Sequence, residues 1–174
     1  MRALLNDLLL SFQSDDFSVL AGWQKLFDLE IAAADALPLN RVPDISIAAA
    51  VTSQLPPPPA ARPSYEEQPG ANQERSVRYY DSKSGGLLHL ARPAQIAFNF
   101  DDSSARITLT RQIVDTGNLE DITMIALAPF LRRRGVYLAH AFAVAAQSAV
   151  LLSGPSGSGK TTTGLALIEA GCTY

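Results

Sequence analysis

A chain of 174 residues is one or two domains' worth, and 47% hydrophobic against 18% charged residues is the composition of a globular protein able to bury a real core. A net charge of −3 gives no reason to expect a nucleic-acid surface. The one cysteine, Cys172, excludes a disulfide framework within the chain and agrees with a reducing compartment. It reads as a packed small apolar residue rather than a nucleophile.

At the N-terminus Arg2 precedes Ala3-Leu4-Leu5, but Asn6 and Asp7 interrupt the apolar run before Leu8-Leu9-Leu10. A secretory signal needs an unbroken core and a small-residue cleavage site, and neither is clear here. Residues 3–12 are expected to form a short helix with an apolar stripe. No apolar run reaches the length of a membrane span; the nearest, Ala139 to Leu152, is broken by Gln147 and Ser148. The expectation is a cytoplasmic protein without a membrane partner.

From Phe17 to Val51 the pattern alternates in patches, with Phe27, Leu29 and Ile31 on one side, and a further extended run covers Ile45 to Val51. Two strands joined by a loop are expected, the Ala-rich stretches leaving helix open. Gln54 to Ser76 then holds Pro56 to Pro59, Pro63, Pro69 and Gly70. Four consecutive prolines enter neither a ladder nor a helix, so this stretch reads as an extended linker or long loop. A plain spacer is the ordinary reading; a ligand for an SH3-type domain is the alternative.

Val77 to Asp81 and Gly86 to Arg92 read as strands around a turn at residues 82–85. Ile96 to Phe100 and Ile107 to Arg111 form a second pair, turning at Asp101-Asp102-Ser103-Ser104. The two aspartates read as turn chemistry rather than a metal site. His89, with no Cys or His at ligand spacing, reads as an ordinary strand histidine.

Asn118 to Arg134 is the clearest helix of this half, with Asn118 as N-cap, Glu120 and Asp121 in the first turn and Arg132-Arg133-Arg134 in the last. The arginines suit either a helix C-terminus or a basic patch for an anion. Gly135 ends the helix, and Val136 to Ala145 reads as an apolar strand carrying His140.

The densest signal lies at Ala149 to Ala170. Ala149 to Leu152 has the apolar character of a buried parallel strand. Gly154-Pro155-Ser156-Gly157-Ser158-Gly159-Lys160-Thr161 then fits G-x-x-x-x-G-K-[ST] at every fixed position, with Thr162 opening a helix that Gly171 terminates. Glycines at 154, 157 and 159 let backbone N–H groups turn inward as a cradle for phosphate oxygens at a helix N-terminus. Lys160 would reach the β- and γ-phosphates, and Thr161 would place its hydroxyl on a magnesium ion bridging them. The implied ligands are ATP or another nucleoside triphosphate, with Mg2+.

The run from Arg132 to Tyr174 resembles the nucleotide-binding part of the HPr kinase/phosphorylase family: a helix, a Gly, a strand with a histidine, a tight turn, a second strand, the phosphate loop and a helix ending in Gly. The likeness covers residues 118–174, and His140 stands fourteen residues before Gly154. It implies an α/β protein: an N-terminal β-rich, α+β region over 1–117, then the start of an HPr kinase/PEP carboxykinase-like P-loop domain over 118–174. It further implies phosphoryl transfer to a protein serine or other hydroxyl, with His140 near the loop; a core histidine is the alternative for that position. Where the family has Ser-Glu after the loop lysine, this chain has Thr161-Thr162. The family's strand with paired aspartates, base and metal ligand, would fall beyond Tyr174, so the chain reads as a fragment expected to lack phosphotransfer on its own. A generic P-loop ATPase and a non-catalytic interaction module are the rival classes.

Overall fold

In the computed structural model, which describes residues 1–67, 77–90, 94–139, 141–155 and 157–173, the chain begins as a hairpin of β1 (Arg2–Leu5) and β2 (Leu8–Ser14). This replaces the helix expected over 3–12. Asn6 and Asp7 adopt φ of 47° and 65°, the left-handed pair that a two-residue hairpin turn requires and that Asn and Asp tolerate best. The polar interruption of the leucines is therefore a turn.

The strand expected from Phe17 is likewise corrected, to the helices α1 (Phe17–Leu26) and α2 (Asp28–Asp35). Asp16 caps α1, its Oδ1 accepting from the amides of Ser18 (3.0 Å) and Val19 (3.3 Å). Val19 and Trp23, four apart, bury themselves against the sheet. The strand expected over Ile45 to Val51 is present as β3 (Ile45–Thr52).

Residues 53–64 run without helix or strand, as the prolines demand, but Tyr65–Glu67 pairs as β4 inside the stretch expected to be linker, whose residues 68–76 lie outside the described residues. A meander follows: β5 (Val77–Ser82), β6 (Gly85–Leu90), β7 (Ala94–Asn99) and β8 (Ser104–Thr110). These correspond to the four expected strands, except that residues 91 and 92 lie outside the described residues and Arg111 opens a helix instead of ending a strand. Asp102 accepts from the Ser104 amide (3.0 Å) and from Asn99 Nδ2 (3.0 Å), and the Asp101 amide donates to Asn99 Oδ1 (3.0 Å), so Asp102 serves the turn with its side chain and Asp101 with its backbone.

Eight strands form one sheet in the order β1-β2-β3-β8-β7-β6-β5-β4, with β2, β3 and β8 parallel and the remaining pairs antiparallel. Alternation decides its faces. Ile45, Ile47, Ile96, Ile107 and Leu109 are buried, while Ser46, Ala48, Ala97 and Arg106 between them point the other way. The short helix α3 (Arg111–Asp115) leads to α4 (Leu119–Arg133). Asn118 precedes α4 but gives no side-chain cap, since its Nδ2 donates to Thr116 Oγ1 (2.7 Å). Fully buried Thr123 of α4 accepts from Trp23 Nε1 (2.8 Å), joining α1 to α4.

The chain divides into two compact units, Met1–Gly135 and Val136–Tyr174. The break expected before Asn118 thus falls after Gly135, because α4 completes the core of the first unit. In the second unit β9 (Ala141–Ala145) pairs with β10 (Ala149–Ser153), followed by α5 (Lys160–Glu169). The pair is antiparallel, a hairpin, not the parallel pair expected. Three residues separate the strands, and a parallel pair needs a crossover of a dozen or more. Residues 136–139 lie outside the strand expected there, and β10 is largely exposed, Leu151 at 61%.

The described chain is thus a mixed α/β protein, 30% helix and 36% strand, dominated by one sheet. Among the described residues no helix is long and apolar enough to cross a membrane.

Candidate phosphate-binding loop

β10 delivers the loop. Its last residue, Ser153, pairs with Ala141, so Gly154 leaves from one end of the hairpin. Gly157 and Gly159 take φ of 78° and 83°, a region that costs any residue with a Cβ about 1–2 kcal/mol. Gly159 is the N-cap of α5, and its carbonyl accepts from Thr163 N (2.9 Å). At Gly154 a Cβ would crowd Ser158 Oγ. All three loop glycines, the fixed Gly154 and Gly159 and the additional Gly157, therefore have a local reason.

Lys160 folds over the loop, its Nζ donating to the carbonyls of Gly154 (2.9 Å) and Pro155 (3.0 Å). The ammonium is thereby held at the mouth of the turn, where an anion would lie. The N-terminus of α5 has no side-chain cap and no acidic residue in its first turn. Its leading N–H groups and the positive end of its dipole stay available to an anion. Thr161 and Thr162 are exposed there, within the first turn.

The helix is fixed at both ends. Gly164 lies against Phe142 of β9 so closely that a Cβ would land on the ring. At the C-terminus Gly171 (φ 99°) donates to Ile168 O (2.9 Å) and Cys172 to Leu167 O (3.0 Å), the paired bonds of a Schellman motif. Thr173 then bridges to Ala145 on the free side of β9, at 2.7 and 2.8 Å. Loop, helix and hairpin form one connected unit.

His140, Ser156 and Tyr174 lie outside the described residues. The remaining loop positions, Gly154, Pro155, Gly157, Ser158, Gly159, Lys160, Thr161 and Thr162, are contiguous and exposed or half-buried. The carboxylate of this unit, Glu169, sits at the opposite end of α5 from Lys160. Among the described residues no group of three His, Cys, Asp or Glu could hold a metal ion.

Two other candidates resolve differently. Arg134 donates to Asp44 O (2.7 Å), Ser103 Oγ (3.1 Å) and Phe130 O (3.2 Å), and Arg133 lies 4.0 Å over the Phe100 ring. The arginine cluster is thus largely committed to the fold. On the open sheet face a shallow depression of about 390 Å³ is lined by Gln13, Ser46, Ala48, Asn99 and Arg106 among others. It presents amides and one cation but no titratable pair, so it offers no acid–base machinery.

No family model, no curated protein and no solved structure matches this chain.

Proposed function

We propose that this chain carries the phosphate-binding part of an ATP-dependent phosphotransferase of the HPr-kinase type. The observation that carries the reading is the strand–loop–helix at Ala149 to Glu169, with Gly157 and Gly159 left-handed and Lys160 Nζ poised over the turn. The residues fit the group. Backbone N–H groups of the loop and of the first turn of α5 would surround phosphate oxygens. Lys160 would exchange its two carbonyl partners for the β- and γ-phosphates, and Thr161 would offer its hydroxyl to magnesium. That ion, when bound, neutralises charge developing on the transferred phosphoryl group.

The hairpin favours this reading over a generic P-loop ATPase. The resemblance implies a tight turn between the histidine strand and the loop strand, and β9 and β10 are joined by three residues. A doubly wound nucleotide-binding sheet would join neighbouring parallel strands by a crossover. His140 belongs to the proposal through the resemblance, as does a protein serine as acceptor.

Calorimetric titration of the chain with Mg-ATP tests the reading. Lys160→Ala removes a charge-assisted contact of about 1.5–3 kcal/mol, so affinity should fall roughly ten- to a hundredfold. A variant binding as tightly as the parent would overturn it. For His140, a pH–rate profile of a catalytically competent form that is unchanged by His140→Asn removes the histidine from the mechanism.

A further inference from the structure

The proline strap on the first unit is tied to the sheet at its far end by Ser64, whose N donates to Tyr79 O (2.8 Å) and whose Oγ accepts from the Asp81 amide (3.2 Å), and within the prolines by a hydrogen-bond relay at Pro56. Leu55 and Pro58 are half-buried while Pro56, Pro57 and Pro59 are exposed. Residues three apart share a ridge of a polyproline II helix, and from Leu55 to Pro59 the ridge of Leu55 and Pro58 is the one turned to the protein. Gln95, only 6% exposed on β7, donates from Nε2 to Pro56 O at 2.7 Å, and the same nitrogen lies 3.0 Å from His89 Nδ1 on β6.

The chemistry fixes every role in this relay. A proline carbonyl only accepts, so the group facing Pro56 must be the Gln95 NH2. That group carries two protons and no free acceptor, so His89 Nδ1 must accept the second one. His89 is therefore neutral, with its proton on Nε2.

We propose that His89 is a proton-operated latch on this strap. Neutral, it holds the Gln95 amide in the orientation that binds Pro56. Protonated, its Nδ1–H confronts the amide N–H, donor against donor. Turning the amide over satisfies His89 with Oε1 but sets that oxygen against Pro56 O, and the proline stretch comes free at Pro56 while Ser64 stays held on β5.

The charges around the ring agree with a latch that is closed at neutral pH. Arg78 on β5 stands in register with His89, and Glu66 of β4 is committed to Arg78 at 2.7 Å. Gln95 faces the ring from β7. Burial, and then the Arg78 charge, hold the imidazole below its ordinary value of 6.5. The released state, with the ring free, titrates nearer that value and so binds the proton more tightly. Acidification below about pH 6.5 therefore favours release, and the alkaline side is flat.

The test places a spin label on the strap, at Ala60→Cys in a Cys172→Ser chain, and follows its mobility from pH 8 to pH 5. One immobilised component is expected at pH 8, with a mobile component rising reversibly over a one-proton transition below pH 6.5. His89→Asn, whose Oδ1 replaces Nδ1 as a permanent acceptor, should keep the label immobile throughout. Trp23 emission should stay constant, showing the core folded. A parent label that stays immobile to pH 5 overturns the proposal. So does a transition that persists in His89→Asn, or one that moves in step with Trp23.

Discussion

At the scale of the residue, two polar side chains tie separate elements of the first unit together. Thr123 Oγ1 accepts from Trp23 Nε1 and donates to Leu119 O (2.7 Å), with both side chains removed from water. Thr123→Val keeps the shape but leaves the indole N–H buried and unpaired, at a cost of about 1–3 kcal/mol. Thr123→Ser keeps the hydroxyl and loses one methyl group, about 1 kcal/mol. Urea unfolding followed by Trp23 fluorescence should rank parent, serine and valine in that order; equal midpoints would show that the bond contributes nothing. Asp16 combines a helix cap with an ion pair to Arg111. The bond from Arg111, then the amides of Val19 and Ser18, hold its carboxyl below the ordinary 3.8 against the opposing effect of burial. Its stabilisation is therefore complete above pH 3.8 and lost as pH falls through the lower folded value. Asp16→Asn keeps the cap and loses the charge, so its deficit against the parent should shrink towards zero in acid. Asp16→Ala should cost about 1 kcal/mol more than Asn at neutral pH, through the cap.

Elements were legible where a local signal had a single meaning. The meander from Val77 to Thr110 and the helix after Asn118 could be read because turn clusters and a clean apolar stripe bracket them. Asn6-Asp7 was a hairpin signal, and Ser14-Asp15-Asp16 before Phe17 a cap signal. Each was masked by apolar runs that suit helix and strand alike. The phosphate loop was fully legible as a motif, but its setting was not. β10 looks like a buried parallel strand by composition, and only the three-residue connection to β9 argues for a hairpin. Gly164 had no reading in the sequence and is explained by Phe142. Gly164→Ala should gain about 1 kcal/mol in helix propensity and lose about 1–3 kcal/mol to overpacking. The steric term wins because the obstacle is an aromatic ring. Amide exchange along α5 should therefore speed up, and Phe142→Leu in the same chain should restore part of the protection. Unchanged exchange would mean that α5 is not packed on β9.

At the scale of the whole molecule the two units differ in what supports them. The first encloses Trp23, Phe12 and Phe130 and many aliphatic residues between an eight-stranded sheet and its helices. The second is Val136–Tyr174, at the size of about 40 residues below which a single core is rarely sufficient. Its two strands and one helix leave Leu151 and Leu165 more than half exposed and Val150 nearly half, and among the described residues of this unit Val144 is the large apolar side chain that is buried. A two-stranded hairpin is marginal by itself, and one helix covers only one of its faces. Unfolding should therefore not be two-state. The sole tryptophan belongs to the first unit, so its fluorescence reports that unit, whereas far-UV circular dichroism reports both. In urea, part of the helical signal, that of α5, should be lost before the Trp23 transition begins. Mg-ATP should draw the early transition to higher urea and leave the later one in place, because a ligand stabilises the unit that binds it. A chain ending at Gly135 should keep the Trp23 midpoint of the parent and lose the early phase. Coincident transitions by the two probes, together with a lowered Trp23 midpoint on truncation, would show that the phosphate loop and the large sheet unfold as one body.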